Sequence, residues 1–143
     1  MLLNNFYIDS DDNEFINNLF DVDITNSIID GNQNIEFLIE KLGDTNLDYK
    51  LSNSLIKFND INDYFDNNPI YDFSNNLHYE NLFQNLSPGF INAVNNDLRI
   101  NQNSEIIGLG SLEFATQTPF DILNNNRIDS PDLGAYQHII IED

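Results

Sequence analysis

Four acidic side chains crowd one short stretch near the start of the sequence, at Asp9, Asp11, Asp12 and Glu14. Calcium takes about six to eight oxygen ligands, and a loop of this kind could supply several of them. The stretch lacks the Asp-x-Asp-x-Asp-Gly loop, with a glutamate at its twelfth position, that marks an EF-hand. A solvated acidic turn is therefore the simpler interpretation, and these four residues are the calcium candidates of the chain.

The two histidines and the lack of cysteine narrow the remaining chemistry. His78 and His138 lie far apart in sequence, and neither belongs to a metal-ligand pattern. The chain has no cysteine, which excludes disulfides, thiolate metal sites and a cysteine nucleophile. It also has no G-x-S-x-G, P-loop or G-x-G-x-x-G sequence. Apart from calcium, the sequence predicts no cofactor.

A third group of residues lies near the C-terminus: Asp121, Arg127, Asp132, Gly134 and Tyr136. Arginine can bridge two carboxylates or bond to carbonyl groups through its fork of donors. The expected role of the three charged residues is a set of ion pairs and hydrogen bonds that pins the closing turns. Gly134 removes bulk where the ring of Tyr136 would fold onto a core. We interpret all five as structural rather than catalytic.

The charge of the chain restricts its partners. A net charge of −19, from 24 acidic and 5 basic residues, argues against nucleic acid and anionic membrane partners, which both call for basic patches. No run of about 18 apolar residues is present, so we expect no membrane span. A chain of 143 residues with 41% hydrophobic content suits one domain with a core.

Internal repeats organise the first half of the chain. Residues 24–32 align with residues 51–59 at an offset of 27 positions, and looser copies begin at Leu3 and Asn76. A spacing of about 20 to 30 residues is typical of solenoids. Alternating apolar residues bounded by Asn, Asp, Ser and Gly predict a strand and a turn in each copy. The 26 asparagines agree with many tight turns, because Asn tolerates left-handed backbone.

The segments between the copies are less clear-cut. Residues 34–42 contain good helix formers and stop at a glycine, yet Ile35, Phe37 and Ile39 alternate, so we predict a second strand of the repeat there. Residues near 60–75 are rich in Asn and Asp and are expected to form an inserted loop. The competing fold is an α/β intracellular domain with helices over 34–42 and 60–65.

The C-terminal segment resembles the shared ending of right-handed parallel β-helix surface proteins of Bacteroidetes, of the choice-of-anchor type. That ending runs as a strand with Leu, then Asn-Ser-Pro-Ala-Ile-Asp-x-Gly, Asp-x-x-Gly-Asn-x-Arg and Pro-Asp-Ile-Gly-Ala-Tyr-Glu. Four residues depart from it: Glu105-Ile106 replace Pro-Ala, Gly108 replaces Asp, and Gln137 replaces Glu. The residues that match are Leu98, Asn103, Ser104, Ile107, Gly110, Asp121, Asn125, Arg127 and residues 131–136.

The resemblance implies an all-β fold, a partial right-handed parallel β-helix of about three to four rungs with an irregular C-terminal closing segment. Residues 1–95 would form the rungs, and residues 96–143 the closing segment of the same domain. Stacking would place Ile28 over Leu55, and burying one such side chain contributes about 1.5–3 kcal/mol. Leu2 and Leu3 begin a strand without a polar cap, so earlier rungs are missing, a partner covers the edge, or a later segment folds back over it; we expect missing rungs.

The resemblance also sets the functional expectation. It implies a non-enzymatic module, secreted or on the cell or outer-membrane surface, that acts as a scaffold or binds a polysaccharide or another surface partner. The chain would then be a fragment of a longer protein. The alternative is a fragment of a β-helix polysaccharide lyase or glycoside hydrolase, which rests on fold analogy alone. Carboxylates stacked on adjacent rungs in a groove would favour the enzyme, whereas an outward face of Asn, Ser and Thr would favour the scaffold.

Overall fold

The structure, a computed structural model, describes residues 1–138. In that part of the chain, short strands predominate and one α-helix is present. The strands are β1 (Leu2–Asn4), β2 (Phe6–Ile8), β3 (Glu14–Ile16), β4 (Leu19–Thr25), β5 (Ile28–Ile29), β6 (Leu38–Glu40), β7 (Leu47–Ser52), β8 (Leu55–Ile56), β9 (Tyr79–Glu80), β10 (Phe83–Gln84), β11 (Phe90–Asn92) and β12 (Asp97–Ile100). The helix is α1 (Leu112–Gln117), and Pro69–Tyr71 and Ala93–Asn95 form short 3-10 helices.

Two three-stranded parallel sheets carry the repeat. In the first, β7 lies between β4 and β9, and Leu51 is opposite both Ile24 and Tyr79. In the second, β8 lies between β5 and β10, and Leu55 is opposite both Ile28 and Phe83. The predicted pairing of residues 24–32 with 51–59 is therefore confirmed where strands form, and the copy that begins at Asn76 lies beside them.

We call each copy of the repeat, a strand of the first sheet followed by a strand of the second, a coil; asparagine forms the corner between its two strands. Asn26, Asn53 and Asn81 have φ angles of +45°, +46° and +50°, in the left-handed region that a residue with a short polar side chain tolerates. Every non-glycine residue with positive φ among those described is Asn or Asp. The high asparagine content is thus explained in part by the turns, as the composition predicted.

Three asparagines, among them the corner residue Asn26, replace missing backbone partners. Each uses its side-chain amide as a peptide group would, because it accepts from the N–H and donates to the C=O of one distant residue. The hydrogen bonds within the three pairs measure 2.8–3.2 Å. Asn5 also donates to the Thr45 hydroxyl at 2.6 Å. The three pairs are Asn5 with Leu42, Asn26 with Ser111, and Asn85 with Phe58.

A third parallel pair lies beside these sheets. Strand β1 pairs with β6, with Leu3 opposite Ile39. The predicted strand within residues 34–42 is therefore present as β6. The interpretation of the Leu3 segment as a further copy of the repeat is wrong, because β1 pairs with β6 and not with β4 or β5. The competing α/β fold is also wrong: residues 60–65 contain only turns and irregular backbone, and α1 lies elsewhere.

The two faces of the β5-β8-β10 sheet belong to different clusters. Ile29 and Ile56 are buried in one hydrophobic cluster with Leu51 and Tyr79, which we call the inner cluster. Because side chains alternate along a strand, their neighbours Ile28 and Leu55 point the opposite way, with Phe83. There they pack against the closing segment, which contributes the buried residues Ile100, Ile106 and Leu133 to this cluster. The closing segment thus lies along the side of the sheet, and Tyr136, which we expected to fold onto a core, is only half-buried.

The segment between β8 and β9 contributes aromatic rings to the inner cluster. The rings of Phe65, Tyr71 and Phe73 pack against Phe58, with centroids 5.0–5.5 Å apart. The Tyr71 hydroxyl accepts a hydrogen bond from the backbone N–H of Ile39 (3.0 Å) and donates to its carbonyl (3.3 Å). The Tyr71 side chain therefore supplies hydrogen-bond partners to the backbone of β6 on the edge that does not pair with β1.

Candidate functional site

The outward face of the β4-β7-β9 sheet carries small polar and charged side chains. It does so because Ile24, Leu51 and Tyr79 face the inner cluster, which directs the alternate residues outward. The register places Asp23 opposite Lys50, and Thr25 opposite Ser52, which is opposite Glu80. The corner asparagines Asn53 and Asn81 follow directly after Ser52 and Glu80, where β7 and β9 end.

These residues line one groove of about 450 Å³, which we call the polar groove. A wall from the closing segment, at the start of α1, completes it. Its residues are Asp23, Thr25, Lys50, Ser52, Asn53, Glu80, Asn81, Ser111, Glu113 and Phe114.

Two contacts hold the polar groove in shape. The paired hydrogen bonds between the Asn26 side chain and the Ser111 backbone (2.8 and 3.2 Å) fix the start of α1 against the corner of the first coil. Lys50 forms an ion pair with Glu80 at 2.5 Å between side chains that are 38% and 53% exposed. An exposed pair of this kind adds about 0–1 kcal/mol of stability. Its effect is to orient two charged groups along the groove.

The polar groove offers hydroxyl, amide and carboxylate groups beside the ring of Phe114. Such a surface can exchange many hydrogen bonds with a polyhydroxylated ligand and pack against its apolar face. No short sequence motif marks these residues. The recurrence of Thr25-Asn26 as Ser52-Asn53 at the repeat offset was the available signal, since repeats place equivalent residues in rows.

The acidic stretch proposed for calcium forms a self-contained turn. One Asp9 carboxylate oxygen accepts hydrogen bonds from the backbone N–H groups of Asp11 and Asn13, both at 2.9 Å. The side-chain hydrogen bond from Asn13 lowers the pKa of Asp9 below its ordinary value. Asp11, Asp12 and Glu14 are exposed. Within residues 1–138, no three or more His, Asp or Glu side chains are grouped so that they could hold a metal ion.

Asp121 is buried at the centre of the closing turns. Its carboxylate accepts from the backbone N–H groups of Leu123, Asn125 and Gln137 at 2.7–2.8 Å, and from the Asn125 side chain at 2.9 Å. Burial alone would raise the pKa of Asp121, but the hydrogen bonds from Asn125, Gln137 and Leu123 together lower it. This residue therefore holds turns together as an ionised acceptor.

Arg127 and Asp132 lie in the same segment without an ion pair between them in the described part of the chain. The Arg127 guanidinium is buried, and its Nη2 donates to the backbone carbonyl of Asp132 at 2.7 Å. The Asp132 carboxylate instead accepts from the N–H of Gly108 (2.8 Å) and from the N–H and Nδ1 of His138 (2.6 and 2.7 Å).

Gly134 and Tyr136 follow at the surface of the same segment. Gly134 has a φ of +85°, and an added Cβ would lie 2.6 Å from the Ile28 side chain. Its N–H donates to the Asn26 carbonyl at 2.8 Å, so the glycine permits a close approach between the closing segment and the first coil. Tyr136 is half-buried.

His78 lies far from this segment, with its ring stacked on Tyr49 (centroids 4.4 Å apart) and its Nδ1 3.0 Å from the Tyr49 carbonyl oxygen. It packs against the strands of the repeat, close to the buried Tyr79.

In the described residues, no helix is long and apolar enough to cross a membrane.

Comparisons with known proteins identified no relative of this chain. No family model matches the chain, and neither a curated protein nor a solved structure gives a significant match.

Proposed function

We propose that the chain is part of a right-handed parallel β-helix that serves as a non-enzymatic glycan-binding or scaffold module on a cell surface or in the extracellular space. The observation that carries this proposal is the row of Thr25, Ser52 and Glu80, flanked by corner asparagines, along one groove. Strand equivalents recur at 27 and 28 residues in two parallel sheets, which supports a coil that winds in one direction. Parallel crossovers within one sheet are almost always right-handed.

The charge of the protein narrows the expected ligand. With a net charge of −19, the protein repels polyanionic glycans at long range, so a neutral polysaccharide is the better partner. Hydroxyl groups of a neutral sugar can form hydrogen bonds with the side-chain amides of Asn53 and Asn81, which are half-buried and exposed.

Edges at one end of the sheets support further assembly. Strands β1, β4 and β5 each lie at the outer edge of their sheet. Large apolar side chains are exposed nearby, among them Leu2 (51%), Phe15 (42%) and Phe20 (58%). Exposed strand edges and apolar groups favour pairing with additional coils or with a partner chain.

The direct test is a binding panel of neutral and uronate-containing glycans, with and without calcium. We expect a neutral glycan to bind, and we expect Glu80→Trp, which fills the polar groove, to weaken that binding by at least about tenfold. The matched control is Glu14→Trp, at an exposed strand position outside the groove. If no glycan binds, or if both variants bind like the wild type, glycan binding through this groove is wrong.

One feature favours the enzymatic alternative, a fragment of a polysaccharide lyase or glycoside hydrolase. The carboxylates of Asp23, Glu80 and Glu113 all line the polar groove, and a pair of carboxyl groups is the usual machinery of glycoside cleavage. Against it, Glu80 is ion-paired with Lys50. Release of new reducing or unsaturated ends from the same glycan panel, abolished by Asp23→Asn, would establish this second function instead.

A further inference from the structure

A second groove lies between the first coil and the closing segment, on the other side of Phe114. It encloses about 530 Å³, within the range of about 300–1,000 Å³ that small-molecule sites occupy. We call it the Arg127 groove. Its lining is mainly apolar and includes Ile28, Phe90, Leu98, Phe114 and Tyr136, with Arg127 as the charged member.

The state of Arg127 distinguishes this groove from an ordinary apolar cleft. The residue is only 8% exposed, and its Nε has no hydrogen-bond acceptor among the described residues. The one hydrogen bond of the Arg127 side chain within residues 1–138 is from Nη2 to the Asp132 carbonyl. The ion pairs of that part of the chain involve Lys50, Arg99 and His138 instead.

The two buried acidic residues of the segment already accept hydrogen bonds from other groups. The Asp132 carboxylate accepts from Gly108 and His138, and the Asp121 carboxylate accepts from Leu123, Asn125 and Gln137. A buried guanidinium without a directly paired anion loses hydration without regaining a contact of equal strength. An anionic group that enters the groove would meet the guanidinium where Arg127 lines it.

We propose that the Arg127 groove binds a small monocarboxylate with a ring-sized apolar body. The carboxylate would accept hydrogen bonds from the Arg127 guanidinium, for which that group is the best-matched partner. The body would pack against the rings of Phe90, Phe114 and Tyr136. The net charge of −19 repels anions, but screening at physiological ionic strength confines that repulsion to about 8 Å. Inside the groove, attraction by the adjacent Arg127 guanidinium therefore outweighs it. This site does not depend on glycan binding in the polar groove.

The experiment measures binding of three probes to the full chain at 150 mM salt, a concentration with a Debye length of about 8 Å. The probes are phenylacetate, its neutral amide and acetate. We expect phenylacetate to bind at least about tenfold more tightly than phenylacetamide, which has the same ring without the charge, and than acetate, which has the charge without the ring. Failure of phenylacetate to bind, or equal binding of the amide, would overturn the proposal.

Two variants locate the site. Gln117→Trp, on the rim of the Arg127 groove, should abolish phenylacetate binding by filling the space. Thr116→Trp places the same ring at the neighbouring exposed position of α1, outside the groove lining, and should bind like the wild type. Arg127→Lys should reduce affinity while it retains charge. Should that variant unfold, the Gln117 and Thr116 pair still decides, and unchanged binding by Gln117→Trp would refute the site.

Discussion

Removing one oxygen atom, in Tyr71→Phe, should destabilise the protein measurably. The ring of Tyr71 packs among Phe58, Phe65 and Phe73, and Phe keeps those contacts. The hydroxyl alone satisfies both backbone groups of Ile39, at 3.0 and 3.3 Å. Ile39 is only 5% exposed, so water cannot readily replace the lost partner.

The magnitude follows from the cost of a buried unsatisfied group. A buried N–H left without an acceptor costs about 1–3 kcal/mol. With a urea m-value of about 1–3 kcal/mol per molar, a loss of roughly 2 kcal/mol lowers the unfolding midpoint by about 1 M. We expect the m-value itself to stay unchanged, because the surface exposed on unfolding is the same.

The matched control is Tyr64→Phe, which removes a hydroxyl from a side chain in the same segment that is 79% exposed. Its free energy of unfolding should stay within about 0.5 kcal/mol of the wild type. If Tyr71→Phe shows a loss as small as the control, the Tyr71 hydroxyl does not satisfy the edge of β6, and the described packing of residues 60–75 is incorrect.

Three further perturbations probe the stack, the asparagine contacts and the closing turns. Leu55→Ala, at a side chain 1% exposed between Ile28 and Phe83, should lower the free energy of unfolding by about 2–5 kcal/mol, whereas Leu77→Ala, at 79% exposure, should change it by less than about 0.5 kcal/mol in the same urea titration. Asn85→Gly preserves the left-handed backbone but removes both hydrogen bonds to Phe58, so it should cost about 1–3 kcal/mol, while Asn67→Gly, at an exposed left-handed position, should cost only a few tenths. The pKa of Asp121 is lower in the folded protein than the ordinary value of about 3.9, so its stabilising effect is complete above that value and is lost as the pH falls through the folded pKa. Stability measured across that acid range should therefore fall less steeply in Asp121→Asn than in the wild type, and equal slopes would contradict this role.

The repeat was readable from the sequence because two physical constraints acted together. Parallel stacking requires equivalent residues at a near-constant spacing, and Thr25-Asn26-Ser27 and Ser52-Asn53-Ser54 meet it with the same residue types. The left-handed corners then select asparagine at positions 26, 53 and 81. Local pattern and long-range pairing therefore pointed to the same strands.

The packing partners of the strands were not readable in the same way. Alternation shows that Ile28 and Ile29 face opposite sides, but it does not show that both sides are covered by protein. The closing segment covers the Ile28 side with Ile100 and Leu133, which are distant in sequence. Contacts of this kind depend on tertiary geometry, and no local period encodes them.

The segment near 60–75 shows a second limit. Its Asn and Asp content predicts a loop, and the described chain contains turns and a 3-10 helix there. Yet Phe65, Tyr71 and Phe73 pack onto the inner cluster, a role that scattered aromatic residues in a polar background do not announce. The two grooves escaped sequence reasoning for the same reason, since residues from the first coil and from α1 meet only in the folded chain.

The stacked register of the coils is tested most directly by paired cysteines, since the natural chain has none. Asp23 and Lys50 lie opposite each other on β4 and β7, within the separation of about 4.4–6.8 Å between Cα atoms that a disulfide requires. Asp23→Cys with Lys50→Cys should form an intramolecular disulfide on mild oxidation, as detected by the mass of the linked peptides. Asp23→Cys with Asp48→Cys, displaced by two residues along the same strand, should link far less. Equal linkage of the two pairs, or preference for the displaced pair, would contradict a parallel stack at an offset of 27 residues.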